Sequence, residues 1–258
     1  MNVKKAVLVA SFGTSHSDAL KLNIEPIEAQ IRAAFPEYQV YRAFTSSIVI
    51  RLLKRRGIEV DTPEEALDNL IRDGISEVIV QPTHIIDGEE VEKLKRVCMG
   101  KEALFDRLKI TAPLLSGTED FKEVIRIMAG VYGNVPEDTA VVLVGHGSRH
   151  GANSAYPALD YIFKEQGHSR FFIGTVESYP DGDTVLKLVR NAGYKKVLLA
   201  PLLLVAGDHA KNDIAGDEAD SWKSRFESAG LPVTVSLRGL GEYPEIQALY
   251  AAHTREAM

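Results

Sequence analysis

The stretch Val141-Val142-Leu143-Val144-Gly145-His146-Gly147-Ser148 decides how this chain is read. Four consecutive apolar residues, three of them β-branched, are the pattern of a buried strand. The strand runs directly into Gly145-His146-Gly147. Glycine on both sides of the histidine lets the backbone turn sharply and removes side chains that would crowd the imidazole. His146 is therefore expected at the carboxyl end of a strand, where open α/β sheets bind their ligands.

Outward from this stretch the same plan recurs. Residues 6–11 read as a first buried strand ending in Phe12-Gly13-Thr14-Ser15, and a helix is expected over 17–34 with Leu20, Ile24, Ile27 and Ile31 on one face. Pro26 lies inside that span and predicts a kink or a later start. A strand at 39–43, a helix at 48–55 and a helix opened by Thr62-Pro63-Glu64-Glu65 follow. A strand at 77–81 then delivers Pro82-Thr83-His84-Ile85-Ile86-Asp87-Gly88-Glu89-Glu90. A helix at 89–99, a strand at 108–112, a helix at 118–131 and a linker at 133–138 close the first half. The second half predicts strands at 141–144, 171–176, 196–200 and 233–237, with helices between them and a last helix at 245–255. Strands alternating with helices specify an α/β protein with parallel sheets flanked by helices. The expected organisation is two similar α/β lobes, residues 1–132 and 133–258, with a ligand-binding cleft between them.

The halves also align with each other. Sliding residues 66–90 onto 185–209 without a gap places Leu67, Gly74, Val78, Pro82 and Gly88 on Leu186, Gly193, Val197, Pro201 and Gly207. The identities mark a helix end, a strand start, a strand end and a turn. Ser11-Phe12-Gly13 pairs similarly with Gly145-His146-Gly147, and Phe44-Thr45-Ser46 with Val176-Glu177-Ser178. Duplication is favoured over convergence of βα units.

Composition narrows the function. The chain has 258 residues, 45% hydrophobic and 26% charged, as expected of a soluble globular protein. A net charge of −6 with no long basic block argues against nucleic acid as a main partner. Cys98 is the only cysteine, so neither an intrachain disulfide nor a thiolate metal cluster is available. No stretch approaches the ~20 apolar residues of a membrane span. Lys4-Lys5 before the five apolar residues 6–10 is too short an apolar run for a signal peptide. A cytoplasmic location is expected.

Three strand exits of the second half carry polar groups: His146, Glu177 and His209. Two imidazoles and a carboxylate suit a divalent first-row ion and leave coordination positions open. Against this stands the ordinary role of a histidine after a strand, which is to satisfy local hydrogen bonds, and the spacing alone leaves both readings open. Glu90 aligns with His209 and is expected to face the cleft from the first lobe, or else to satisfy amides at a helix start, where Glu89 is equally eligible. His84 lies in the same exit loop, His16 lies near the first exit, and His150 follows His146 by four. His168 and His253 are expected at the surface, Trp222 and Phe171-Phe172 in the core, and the basic residues of 51–56 on a solvated helix face.

Together these stretches resemble the anaerobic, class II cobalt chelatases of the CbiK type. The resemblance rests on Ala10-Ser11-Phe12-Gly13-Thr14-Ser15, Arg42-Ala43-Phe44-Thr45-Ser46, Asp61-Thr62-Pro63, His84 to Glu90, Gly145-His146-Gly147, Val176-Glu177-Ser178-Tyr179-Pro180, Leu204 to Ala210 and Asp220-Ser221-Trp222-Lys223. It implies a two-lobed chelatase fold and an enzyme, a sirohydrochlorin cobaltochelatase, that inserts Co2+ into sirohydrochlorin on the route to cobalamin. It implies His146, Glu177 and His209 as metal ligands and Glu90 as the acid of the first lobe. Insertion must remove two pyrrole protons; His146 or a nearby neutral imidazole is the expected acceptor of one, and Glu90 is expected to take or relay the other. Thr14, Ser15, Ser148 and Arg149 are candidate partners for the substrate's carboxylates. The expected partners are this tetrapyrrole and a divalent metal, with no cofactor beyond the substrate ion; Fe2+ and Ni2+ are admitted beside Co2+, and a homo-oligomer is compatible with the chain. Two alternatives stay open: a sirohydrochlorin ferrochelatase making sirohaem, and a metal or tetrapyrrole carrier without turnover. A phosphatase reading of Gly145-His146-Gly147 is weaker, because no Arg-His-Gly nucleophile motif is present.

Overall fold

The computed structural model describes residues 4–258; residues 1–3, at the start of the expected first lobe, lie outside the described residues. Two four-stranded parallel sheets carry the fold. The first contains β1 (Lys5–Ser11), β2 (Gln39–Phe44), β3 (Glu77–Pro82) and β4 (Arg107–Ile110) in the order β2-β1-β3-β4. The second contains β5 (Thr139–Gly145), β6 (Phe171–Thr175), β7 (Lys196–Pro201) and β8 (Val233–Val235) in the matching order β6-β5-β7-β8. Central strands covered on both faces read as continuous apolar runs, and Ala6 to Ala10 and Ala140 to Val144 are fully buried. Helices bury one stripe against each sheet: Leu67, Leu70 and Leu94 pack on the first, and Val185, Val189, Trp222 and Phe226 on the second.

The compact units are Met1–Ser116 with Gly241–Met258, and Gly117–Leu240. This differs from the expected division into 1–132 and 133–258. The helix Thr118–Tyr132 joins the second unit, where Tyr132 Oη lies 3.1 Å from Ser236 Oγ beyond β8. The helix Pro244–Glu256 returns to the first unit: Tyr250 Oη donates to Thr83 O at 2.9 Å, and Thr254 Oγ1 donates to Gln81 Oε1 at 2.9 Å. An apolar helix face announces burial but not the sheet that buries it, so the sequence left both helices with their chain neighbours. His253 is buried on that returning helix, contrary to the expected surface position.

The internal repeat is visible in the register. Ala10 pairs with Pro82 as Val144 pairs with Pro201, and Ala6 pairs with Val78 as Ala140 pairs with Val197. The gap-free alignment of 66–90 with 185–209 is therefore the structural one. The other expected pairing is off by one residue: Ser11 pairs with Phe44 while Gly145 pairs with Thr175, so Thr45 corresponds to Val176 and Ser46 to Glu177. Ser178 meets a serine in either register, Ser46 in the expected one and Ser47 in the observed one, so identity could not decide between them.

The expected helix over 17–34 is continuous in course but changes hydrogen bonding inside. Ser17–Ala19 leads into a π-helical turn, Leu20–Ile24, and then Glu25–Ala34. Glu25 N bonds back to Leu20 O, and Pro26, which has no N–H, occupies the first turn of the α-helix that follows. Of the two expectations, a kink or a later start, the structure shows the later start: the α-helix begins at Glu25, with the wider turn before it. Among the described residues no helix is long and apolar enough to cross a membrane.

The two turns that end β1 and β5 require glycine. Gly13 and Gly147 have φ of 96° and 86°, and a Cβ on Gly147 would lie 2.9 Å from Thr175 Cβ and 3.0 Å from Ser178 N. Gly167 shares a positive φ of 83° but has nothing within 4 Å of an added Cβ. Gly147→Ala is expected to lower stability in urea unfolding by about 1–3 kcal/mol, and Gly167→Ala by less. Equal losses would contradict a tightly packed turn after His146.

Candidate metal centre

In the second unit, backbone hydrogen bonds continue past the strands and lock their exits together. Val176 N donates to Gly145 O at 3.0 Å, Glu177 N to His146 O at 2.9 Å, and Leu202 N to Val144 O at 2.7 Å. The Glu177 loop is held again where Thr175 N donates to Pro180 O at 2.7 Å. The Asn153 side chain ties this loop to the His146 turn: its Nδ2 donates to Tyr179 O at 2.6 Å, and its Oδ1 accepts from Ser148 N at 3.0 Å. Tyr156 seats the turn from beneath. Its ring occupies the space a Cβ on Gly145 would need, 2.3 Å from Cε1, and its oxygen accepts from the backbone of His146 and Gly147. Burial pushes that phenol up to about 12, so it stays neutral.

His209 follows β7 at the start of a second π-helical turn, Ala210–Ile214. One turn on, Asp213 Oδ2 lies 2.6 Å from His209 Nδ1. His146 Nδ1 lies 3.0 Å from Gly147 O. A carbonyl and a carboxylate both accept, so each Nδ1 carries its proton and each Nε2 presents a lone pair.

These elements bring His146, Glu177 and His209 together, with one ligand atom from each inside a mutual distance of 4.8 Å. His146 Nε2 is 3.7 Å from Glu177 Oε1, close to the edge of about 3.4 Å that ~2.1 Å metal–ligand bonds give a tetrahedral site. The two imidazoles stand edge to face, 4.6 Å between centroids and 89° between planes. The three side chains are 42%, 57% and 44% exposed, so an ion held by them keeps an open side. Two imidazoles and a carboxylate form a donor set suited to a divalent first-row ion. Asp213 orients its histidine as an outer carboxylate does in many metal sites.

The first unit presents different chemistry at the corresponding positions. Phe12 stands where the second unit has His146, Ser46 where it has Glu177, and Glu90 where it has His209. Phe12 is 50% exposed. The Ser46 hydroxyl caps the helix Ser47–Arg55 by accepting from Val49 N at 3.3 Å. Glu90 sits in the first turn of the helix Glu89–Lys101, and its Oε1 accepts from Lys93 Nζ at 2.7 Å. His84 lies upstream in the same exit segment. Its Nε2 is 3.2 Å from Thr45 Oγ1, and its Nδ1 is sealed from solvent without a hydrogen-bond partner. Burial pushes this imidazole down to about 4, against the opposing pull of the Glu90 charge.

The four carboxylate-binding candidates fall in matched turns. Thr14 is buried, and its Oγ1 accepts from His16 N at 3.2 Å. Ser15 O accepts from Arg56 at 2.6 Å. Ser148 Oγ accepts from His150 N at 3.0 Å, and Arg149 is exposed. His150 shapes the same turn, its Nδ1 accepting from Ala152 N at 3.2 Å. His168 is half-buried against Phe163 and Phe171, while Trp222, Phe171 and Phe172 are core residues as expected. Sequence reasoning missed Asp213, Asn153 and Tyr156. The four-residue spacing of His209 and Asp213 on a helical turn was a usable signal; nothing local marked the other two.

Asp213→Ala is expected to weaken Co2+ binding about 10–100-fold in calorimetric titration while leaving the unfolding temperature unchanged. Unaltered affinity would remove Asp213 from the centre. His84 makes a second prediction. Its folded pKa of about 4 lies below the ordinary 6.5, so an unfolded chain takes up a proton in this window that the folded chain refuses. Its effect is absent above that window, and stability is lost as pH falls through it. Unfolding of His84→Leu across the window should lack this part of the fall; an unchanged profile would contradict the buried, neutral state.

Comparison with known proteins identifies the family. The sequence model of the family described as "Cobalt chelatase (CbiK)" matches residues 5–258. The sirohydrochlorin cobaltochelatase of Salmonella typhimurium is 43% identical over 99% of this chain and 97% of its own length. The sirohydrochlorin cobaltochelatase CbiKC of Nitratidesulfovibrio vulgaris is 33% identical over 99% of this chain and 91% of its own. Among solved structures, SirB from Bacillus subtilis with Fe3+ superposes with a TM-score of 0.67 at 16% identity, covering 99% of this chain and 96% of that one; at this identity it speaks for the fold alone. A match along essentially the whole chain, together with relatives of this identity and coverage, establishes that the chain belongs to the CbiK family of cobalt chelatases.

Proposed function

We propose that this chain inserts Co2+ into sirohydrochlorin, the metal-insertion step of anaerobic cobalamin biosynthesis. The observation that carries the reading is the gathering of His146, Glu177 and His209, with both imidazole Nε2 atoms left as lone-pair donors by Gly147 O and Asp213. The names of the two curated relatives support cobalt and sirohydrochlorin as the reactants.

The reaction exchanges two pyrrole protons for one divalent ion. Three protein ligands hold Co2+ and leave positions free for the macrocycle's nitrogens. As metal–pyrrole bonds form, the protein ligands let go. A histidine cannot hold the metal and accept a proton with the same nitrogen, so the two roles of His146 follow in turn: Nε2 releases the ion and then takes one proton. The carboxylate of Glu90 takes the other. Arg149 and Ser148, in the turn after His146, and Thr14 and Ser15, in the corresponding turn of the first unit, are the proposed partners of the macrocycle's carboxylates. The donor set admits Fe2+ and Ni2+ too, and the reaction calls on no organic cofactor.

His146→Ala and His209→Ala should each lower Co2+-dependent conversion of sirohydrochlorin, followed by absorbance, by about 100-fold or more with the far-UV circular dichroism unchanged. Near-normal turnover in both variants would overturn the assignment. Glu90→Gln should lower kcat while Co2+ affinity stays within about twofold, since a proton acceptor acts on the chemical step; an unchanged kcat would remove Glu90 from the mechanism.

A further inference from the structure

The helix Ser47–Arg55 leaves most of its apolar residues outside the core. Ile48, Val49, Ile50, Leu52 and Leu53 are apolar, yet only Leu53 is buried. The helix Gly182–Asn191, which follows the corresponding strand of the second unit, buries Val185 and Val189 in the ordinary way. At about 100° per residue, Ile48, Arg51, Leu52 and Arg55 share the arc opposite Leu53. Ile48 is 62% exposed, Leu52 is 36% exposed, and both arginines are exposed. The position of the helix accounts for this. Ser46 N, at its leading end, donates to Phe12 O at 3.2 Å, and Arg56 Nη1, at its trailing end, donates to Ser15 O at 2.6 Å. The helix is thus tied at both ends to the loop beyond β1, at the carboxyl edge of the sheet, where α/β sheets take their ligands. Phe12, itself half exposed, adds an aromatic ring to the same corner.

Charge distinguishes this face as well. Residues 47–58 contain four cations and no acid, in a chain of net charge −6. Two of the cations are engaged locally: Arg56 on Ser15 O, and Lys54 close enough to Glu65 to favour its ionised form. Arg51 Nε returns to Ser47 O at 3.2 Å within the helix. Among the described residues neither Arg51 nor Arg55 is paired with a carboxylate. We propose that this outward face binds the tetrapyrrole, with Ile48 and Leu52 against the apolar ring and Arg51 and Arg55 on carboxylates of its rim. The inference rests on the reading of sirohydrochlorin as substrate given above. A conjugated ring with many carboxylate arms is apolar in the middle and anionic at its edge, and the face offers a partner for each part. A guanidinium presents parallel N–H groups that match a carboxylate, so two unpaired arginines supply orientation as well as attraction. The loop to which the helix is tied carries Thr14 and Ser15, already proposed as carboxylate partners, so the helix extends that subsite.

The test follows sirohydrochlorin alone by its absorbance as it is titrated with protein, and then turnover with Co2+. Arg51→Gln/Arg55→Gln should weaken macrocycle binding and raise its KM about 10-fold, while kcat and Co2+ affinity stay within about twofold, the pattern of a lost binding contact with no part in the chemical step. Added salt should weaken binding by the parent more steeply than binding by this variant. Arg51→Lys/Arg55→Lys, which keeps the charge, should recover most of the loss. Ile48→Ser/Leu52→Ser should raise KM about 3-fold or more. Lys187→Gln/Arg190→Gln removes the same charge from the end of the helix Gly182–Asn191, which leads back to the start of β7 and so to the opposite edge of its sheet; KM there should stay within about twofold. Parental affinity in Arg51→Gln/Arg55→Gln, or an equal loss in the Lys187 and Arg190 control, would overturn the assignment. A change in sedimentation of Ile48→Ser/Leu52→Ser with KM unaltered would also overturn it and give the face to a second copy of the chain. No uptake of sirohydrochlorin by the parent would overturn the substrate reading and this face with it, whereas equal uptake by parent and variants would overturn the face alone.

Discussion

The parallel pairing of β5 with β6 and β7 is the constraint from which the site follows. Each exit is fastened to its neighbour by a backbone hydrogen bond beyond the last paired residues: Val176 to Gly145, Glu177 to His146, Leu202 to Val144. Residues distant along the chain thus arrive at one edge with little freedom left in the main chain. The side chains add only local settings, Gly147 O and Asp213 orienting the two rings and Asn153 tying two of the loops. A centre built this way is positioned before any ion arrives, so little ordering opposes binding.

The same scaffold occurs twice with different contents. Phe12, Ser46 and Glu90 replace the three clustered ligands, and Thr45 with His84 replaces Val176 with Leu203. Among the described residues the first unit gathers no comparable ligand set, and it has a half-buried imidazole, His84, on the exit segment that carries Glu90. The second has apolar Val176 and Leu203 at the corresponding places. Two copies of one βα plan carry different side chains at matched strand exits, with strand order and register unaltered.

The sequence showed much of this. Continuous apolar runs at 141–144 and 6–10 gave the central strands, because a strand covered on both faces has no polar alternation to obscure it. The alignment of Pro82 with Pro201 carried Glu90 to its structural place, since both prolines end a central-sheet strand. Where no such marker existed the reading slipped: the turn after β2 was paired one residue off, and the helices Thr118–Tyr132 and Pro244–Glu256 were left with the wrong halves. The π-helical turn before Pro26 was hidden because sequence specifies only that a proline cannot donate, not how the helix adjusts. Asn153 works through two backbone groups and leaves no trace in side-chain chemistry.

The central claim is that one divalent ion is held by two imidazoles and one carboxylate at the exits of β5, β6 and β7. Anomalous scattering at the cobalt edge from crystals soaked in Co2+ without macrocycle tests it most directly. The account predicts a single strong peak bonded to His146 Nε2, Glu177 and His209 Nε2, with at least one position left to solvent. A strong peak elsewhere, with these three side chains unoccupied, would contradict it.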